Sequence, residues 1–158
     1  MDELIAYRQK LLLALESVVP ELSRIVAGTA FKEWHRKIGS ALHAPLYTLV
    51  HLWVLEANEF VLNVRRIYDE DTPLPAAFDS IAWMKSHSRP EELPGNIMQV
   101  FTHLRQQELN WLRELPPAGW SCTARHPWWG VHTLQWWVEL QLECSRQHLS
   151  DLTRQLKA

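Results

Sequence analysis

The chain has 158 residues, with 16 Lys and Arg against 18 Asp and Glu, a net charge of −2, and 47% apolar residues. That is the length of one domain (1–158) able to bury a core, and it excludes a disordered or fibrous chain and a surface that holds nucleic acid by bulk charge. The longest unbroken apolar run covers only residues 11–15, where a membrane span needs about 20.

Leu4, Leu11, Leu12, Leu15, Val18, Val19, Leu22, Ile25 and Val26 recur at three- and four-residue steps, which predicts a first amphipathic helix. Pro20 either kinks it or marks the first turn of a second one. A second long pattern runs from Pro45 towards Tyr68, with Leu46, Leu49, Val50, Trp53, Phe60, Val64 and Ile67 on one side. The polar, proline-broken stretch 69–75 is a connection, and 79–86 is a short helix followed by a turn-rich region, 86–95. Ile97, Val100, Phe101, Leu104, Trp111, Leu112 and Leu115 make a third long helix, stopped by Pro116 and Pro117. Residues 118–130 read as loop, and Thr133 is the N-cap of a last helix from 134 to about 156. No stretch shows sustained strand alternation, and no period of 20–50 residues is present. The expected fold is therefore all-α, an antiparallel four-helix bundle with a long crossover between helices 2 and 3.

Asp2 and Glu3 stand where a secretory leader carries positive charge, and Cys122 and Cys144 are too few for a disulfide framework. A reduced, cytoplasmic protein is expected. Eight His and nine Trp against three Tyr is an uncommon mix, and histidine is both the commonest metal ligand and the side chain that titrates nearest neutral pH.

Cys144 and His148 are four apart and share one face of the last helix, with Trp137, Gln141, Asp151 and Leu152 on or beside it. Polar side chains on a stripe facing a bundle interior need partners. Either a metal ion satisfies them, or Cys144 is a small buried hydrophobe and His148 a hydrogen-bonded side chain. A third arrangement sets Cys122 and His126 with Cys144 and His148 in a closed Cys₂His₂ zinc site. His51, between Val50 and Leu52, is a ligand or a satisfied core histidine, with Glu56 and Glu59 behind it or on a solvated edge. Phosphate-binding glycine loops, nucleophile elbows, His-Glu-x-x-His and the Glu-x-x-His pairs of di-iron bundles are all absent.

The run His126-Pro127-Trp128-Trp129-Gly130-Val131-His132-Thr133-Leu134, then Cys144-x-x-x-His148-x-x-Asp151, resembles the carboxy-terminal segment of the DinB-like (DinB/YfiT-like) superfamily. Tyr47-Thr48-Leu49-Val50-His51-Leu52, followed by Glu56, is similar to that family's second-helix segment. The resemblance spans nearly the whole chain. It implies a four-helix bundle, a homodimer, and a divalent metal, zinc or nickel, on three histidines. Thiol S-transfer with a low-molecular-weight thiol is among the activities it implies. Here Cys144 stands for the first histidine of the last helix's pair and Asp151 for the glutamine beyond it, while His51 and His148 match.

Two functional expectations follow. In the first, His51, Cys144 and His148 hold the ion, Asp151, Glu59 and Gln141 stand around them, and Trp137 and Gln141 line the entrance. The protein is then a metal-dependent thiol S-transferase or hydrolase acting on a small electrophilic substrate. In the second, the site has decayed and the chain is a metal-free dimeric bundle, a binding or structural module.

Overall fold

Leu11, Leu12, Leu15, Val18 and Leu22 form the buried stripe of α1, Asp2–Ala27, which runs through Pro20 as one helix. The computed structural model describes residues 2–37, 44–75, 77–87 and 91–157. Gly28 and Thr29 close α1, the Gly28 amide donating to Arg24 O and the Thr29 hydroxyl to Ile25 O. A one-turn helix, α2 (Phe31–Trp34), follows and buries Trp34.

The second bundle helix begins at Pro45, where the missing amide hydrogen costs nothing. It is built from α3 (Pro45–Leu55), a π turn (Glu56–Phe60) and α4 (Val61–Asp69). The crossover carries α5, Ser80–Ser86, capped by Asp79, whose side chain accepts from the Ala82 amide at 2.9 Å. Part of the expected turn region, residues 88–90, lies outside the described residues. The third bundle helix is α6, Pro94–Glu114, and the fourth is α7, Leu134–Lys157, capped by Thr133 as its sequence predicts.

α1 and α3 each pack against both α6 and α7, so the order around the bundle is α1, α6, α3, α7. Leu15, Leu22, Leu49, Phe101, Leu109 and Leu152 meet at its centre. No helix among the described residues is long and apolar enough to cross a membrane.

The stretch expected to be loop, 118–130, is not. It holds a 3-10 turn, Pro117–Ser121, and then β1 (Thr123–His126), which pairs antiparallel with β2 (Gly130–Thr133). Strands of four residues are too short for alternation to register in a sequence window. The hairpin is organised by a side chain. His126 is buried, and its Nδ1 accepts from the backbone amides of both Trp128 and Trp129, at 3.1 and 3.2 Å. The ring therefore works as a neutral acceptor, and burial, with His132 nearby, lowers its pKa in the same direction. Gly130 closes the turn at φ +79°, a conformation that side-chain-bearing residues avoid. Replacing His126 with Ala strands two amides and removes the ring stacked on Trp129 at 4.4 Å. Urea unfolding is expected to show a loss of about 1–3 kcal/mol.

Candidate functional site

His51 comes from the second turn of α3 and His148 from the middle of α7, two helices packed face to face. Their rings meet edge to face at 4.9 Å between centroids, and His148 Nε2 lies 3.1 Å from His51 Nδ1. Each ring's other nitrogen meets an oxygen. His51 Nε2 is 2.8 Å from Ser80 Oγ, and His148 Nδ1 donates to the Cys144 carbonyl at 2.7 Å. Burial first, and the neighbouring His148 second, lowers the pKa of His51. That favours the neutral ring, the form that binds metals.

Two nitrogens held by one tetrahedral ion at zinc–imidazole distances stand about 3.3 Å apart, so the separation of 3.1 Å is close to a chelating bite. Oxygen partners on the outer nitrogens are also what fixes metal-binding imidazoles in orientation. The pair could supply two ligands to a divalent ion, and among the described residues no third protein ligand joins it.

The structure does not bring Cys144 into that pair. Its Sγ lies 3.6 Å from His148 Nδ1, the ring nitrogen turned away from His51. Burial, then Glu59 and Glu56, pushes its thiol up to about 12 in the metal-free chain. Among the described residues, no three His, Cys, Asp or Glu side chains converge to hold an ion. The closed Cys₂His₂ arrangement does not form either, because His126 is spent on the hairpin turn.

The other expected site residues divide. Asp151 does not orient His148, since its Oδ1 accepts from Gln147 and Arg154 on the surface. Gln141 and Trp137 do not line an entrance, being 0% and 2% exposed. Glu59 sits in the π turn, half-buried, and burial raises its carboxyl pKa. A π turn is itself a recurrent feature of functional sites.

Beneath the histidines lies a buried polar cluster that the sequence reading missed. Arg105 Nε and one terminal nitrogen donate to the two oxygens of Glu56, each at 2.8 Å. The guanidinium also reaches Leu15 O and Ser145 Oγ, both at 2.9 Å. Gln141 Nε2 donates to Glu56 and, at 2.6 Å, to Glu108 Oε2. Glu56 alone pairs with the guanidinium, Glu108 being joined to it through Gln141, and burial, followed by Glu56, raises the Glu108 pKa well above 4.5. Burial thus favours the neutral acid at Glu108. Glu108 Oε1 and Gln141 Oε1 have no protein partner.

No family model matches this sequence, and no curated protein matches it. A solved structure does. The chain is similar to YfiT from Bacillus subtilis, described as a probable metal-dependent hydrolase with an unusual four-helix bundle topology. The two share 19% identity with a TM-score of 0.83, over 93% of this chain and 84% of that one. The likeness establishes the YfiT-type four-helix bundle as the fold.

Proposed function

We propose that this protein is a divalent-metal-dependent hydrolase of a small electrophilic substrate, with His51 Nδ1 and His148 Nε2 as its protein ligands. The observation that carries this reading is the pair of imidazole nitrogens facing each other at 3.1 Å, with both outer nitrogens anchored on oxygens. The description of YfiT as a probable metal-dependent hydrolase on the same fold supports it. Zinc or nickel suits an imidazole pair, and such an ion supplies Lewis acidity and a water acidified enough to attack at neutral pH.

The chain's own part is to orient the two rings through Ser80 and the Cys144 carbonyl. Glu59 stands in the π turn of the same bundle helix as His51, its carboxyl pKa raised by burial. Thiol transfer is the less supported chemistry. In the metal-free chain Cys144 holds its proton, so the thiol would have to arrive as a low-molecular-weight substrate.

A second reading, a metal-free bundle serving as a binding module, is favoured by one observation. No three potential ligands converge among the described residues.

Elemental analysis of tag-free protein separates the two. Wild type is expected to carry about one zinc or nickel per chain, the Cys144→Ala variant to keep it, and the His51→Ala, His148→Ala double variant to lose it. A wild-type protein that stays empty after reconstitution with either metal overturns the hydrolase proposal. Loss of metal in Cys144→Ala would restore the three-ligand set.

A further inference from the structure

The hydrogen-bond chain through the two histidines has a direction. A carbonyl only accepts, so His148 carries its hydrogen on Nδ1, facing Cys144 O, and in the neutral ring Nε2 is bare. His51 Nδ1, 3.1 Å away, must then supply the hydrogen between the rings. That leaves His51 Nε2 as an acceptor, and the group that donates to it is the hydroxyl of Ser80, at 2.8 Å.

Ser80 is the first residue of α5, in the crossover rather than in the bundle helices. The helix is held against α3 by Trp83, whose ring meets Trp53 edge-on at 5.8 Å, and it buries Met84. A bundle could connect its second and third helices without such a helix. This one brings a hydroxyl to the outer nitrogen of His51.

We propose that Ser80 is the positioning residue of the histidine pair, fixing which nitrogen of His51 faces His148. In the metal-free protein its hydroxyl donates to Nε2 and holds the hydrogen of His51 on Nδ1. When Nδ1 gives its lone pair to an ion, the hydrogen belongs on Nε2, and the same hydroxyl turns about its C–O bond to accept it. A carboxylate at this place would serve only the second state, and a methyl group neither. The consequence for metal affinity rests on the metal seat proposed above, whereas the order of hydrogens is a property of the metal-free chain.

The test compares wild type, Ser80→Ala and Ser80→Thr by two measurements. Long-range proton–nitrogen spectra of the metal-free proteins in mildly alkaline buffer report the tautomer. Wild type and Ser80→Thr are expected to show His51 protonated on Nδ1 throughout, whereas in Ser80→Ala, where only the contact with His148 still favours that tautomer, the Nε2-protonated form should become detectable. Competition against a chromophoric chelator then gives the dissociation constant for zinc. It is expected to rise about 10–100-fold in Ser80→Ala and to return to within a few-fold of wild type in Ser80→Thr.

A wild-type His51 protonated on Nε2 in the metal-free protein overturns the proposal without any variant. So does a Ser80→Ala protein with unchanged tautomer and affinity, or an affinity loss that Ser80→Thr leaves unrepaired. If wild type binds no zinc, the metal seat falls, and the tautomer spectra still decide the role of Ser80.

Discussion

Replacing Arg105 with Ala is expected to cost about 3–5 kcal/mol in urea unfolding, the penalty for leaving a buried charge without its partner. Arg105 is 0% exposed and spends its hydrogens on Glu56, Leu15 O and Ser145. Its removal strands the Glu56 carboxylate, 1% exposed, and the Leu15 carbonyl, and it opens a cavity against Phe101. In thermal melts this corresponds to a drop of roughly 10 °C for a chain of this size. Most of the loss is the unpaired charge rather than the bond itself. Adding Glu56→Leu to Arg105→Met should therefore recover much of it. A loss below about 1 kcal/mol in Arg105→Ala would mean that the cluster is hydrated and not a buried ion pair.

The second large effect is pH dependence from Glu108, which is 1% exposed. Its folded pKa is raised above the ordinary 4.5, chiefly by burial and then by Glu56. Between those two values the native state holds a proton that the unfolded chain has released. Its stabilising contribution is therefore complete below about pH 4.5 and falls as pH rises towards the folded pKa. The slope of one such proton is up to about 1.4 kcal/mol per pH unit. Urea midpoints should decline across this window in wild type. In Glu108→Gln the amide stays neutral at every pH, and the decline attributable to this group should vanish. Parallel profiles for the two proteins would place the proton elsewhere.

Both effects come from residues whose role a sequence pattern hides in a particular way. Phe101, Arg105, Glu108 and Leu112 follow one another at three- and four-residue steps on the buried side of α6. The stripe was readable, and an arginine and a glutamate on it were the signal of a buried cluster. Which groups would answer them was not readable, because Glu56, Gln141 and Ser145 come from two other helices. On α7 the buried stripe is Leu134, Val138, Gln141, Ser145, His148 and Leu152. Cys144 shares a helical face with His148 but lies at the edge of that stripe, half-buried. A difference of one residue, about 100° around the axis, is too fine for periodicity and enough to turn a ligand aside.

The sequence by itself determined the helical class, the extents of the long helices, the short helix over 79–86 and the Thr133 cap. These follow from local periodicity, capping chemistry and residue type, which need no knowledge of what lies across the core. Only the tertiary structure decided that α1 and α3 each pack on both α6 and α7, that Ser80 answers His51, and that Arg105 and Glu56 form a buried ion pair with Glu108 beside it. Each of these joins residues far apart in the chain. Their energies arise when water is excluded between helices and every buried polar group must find its partner there.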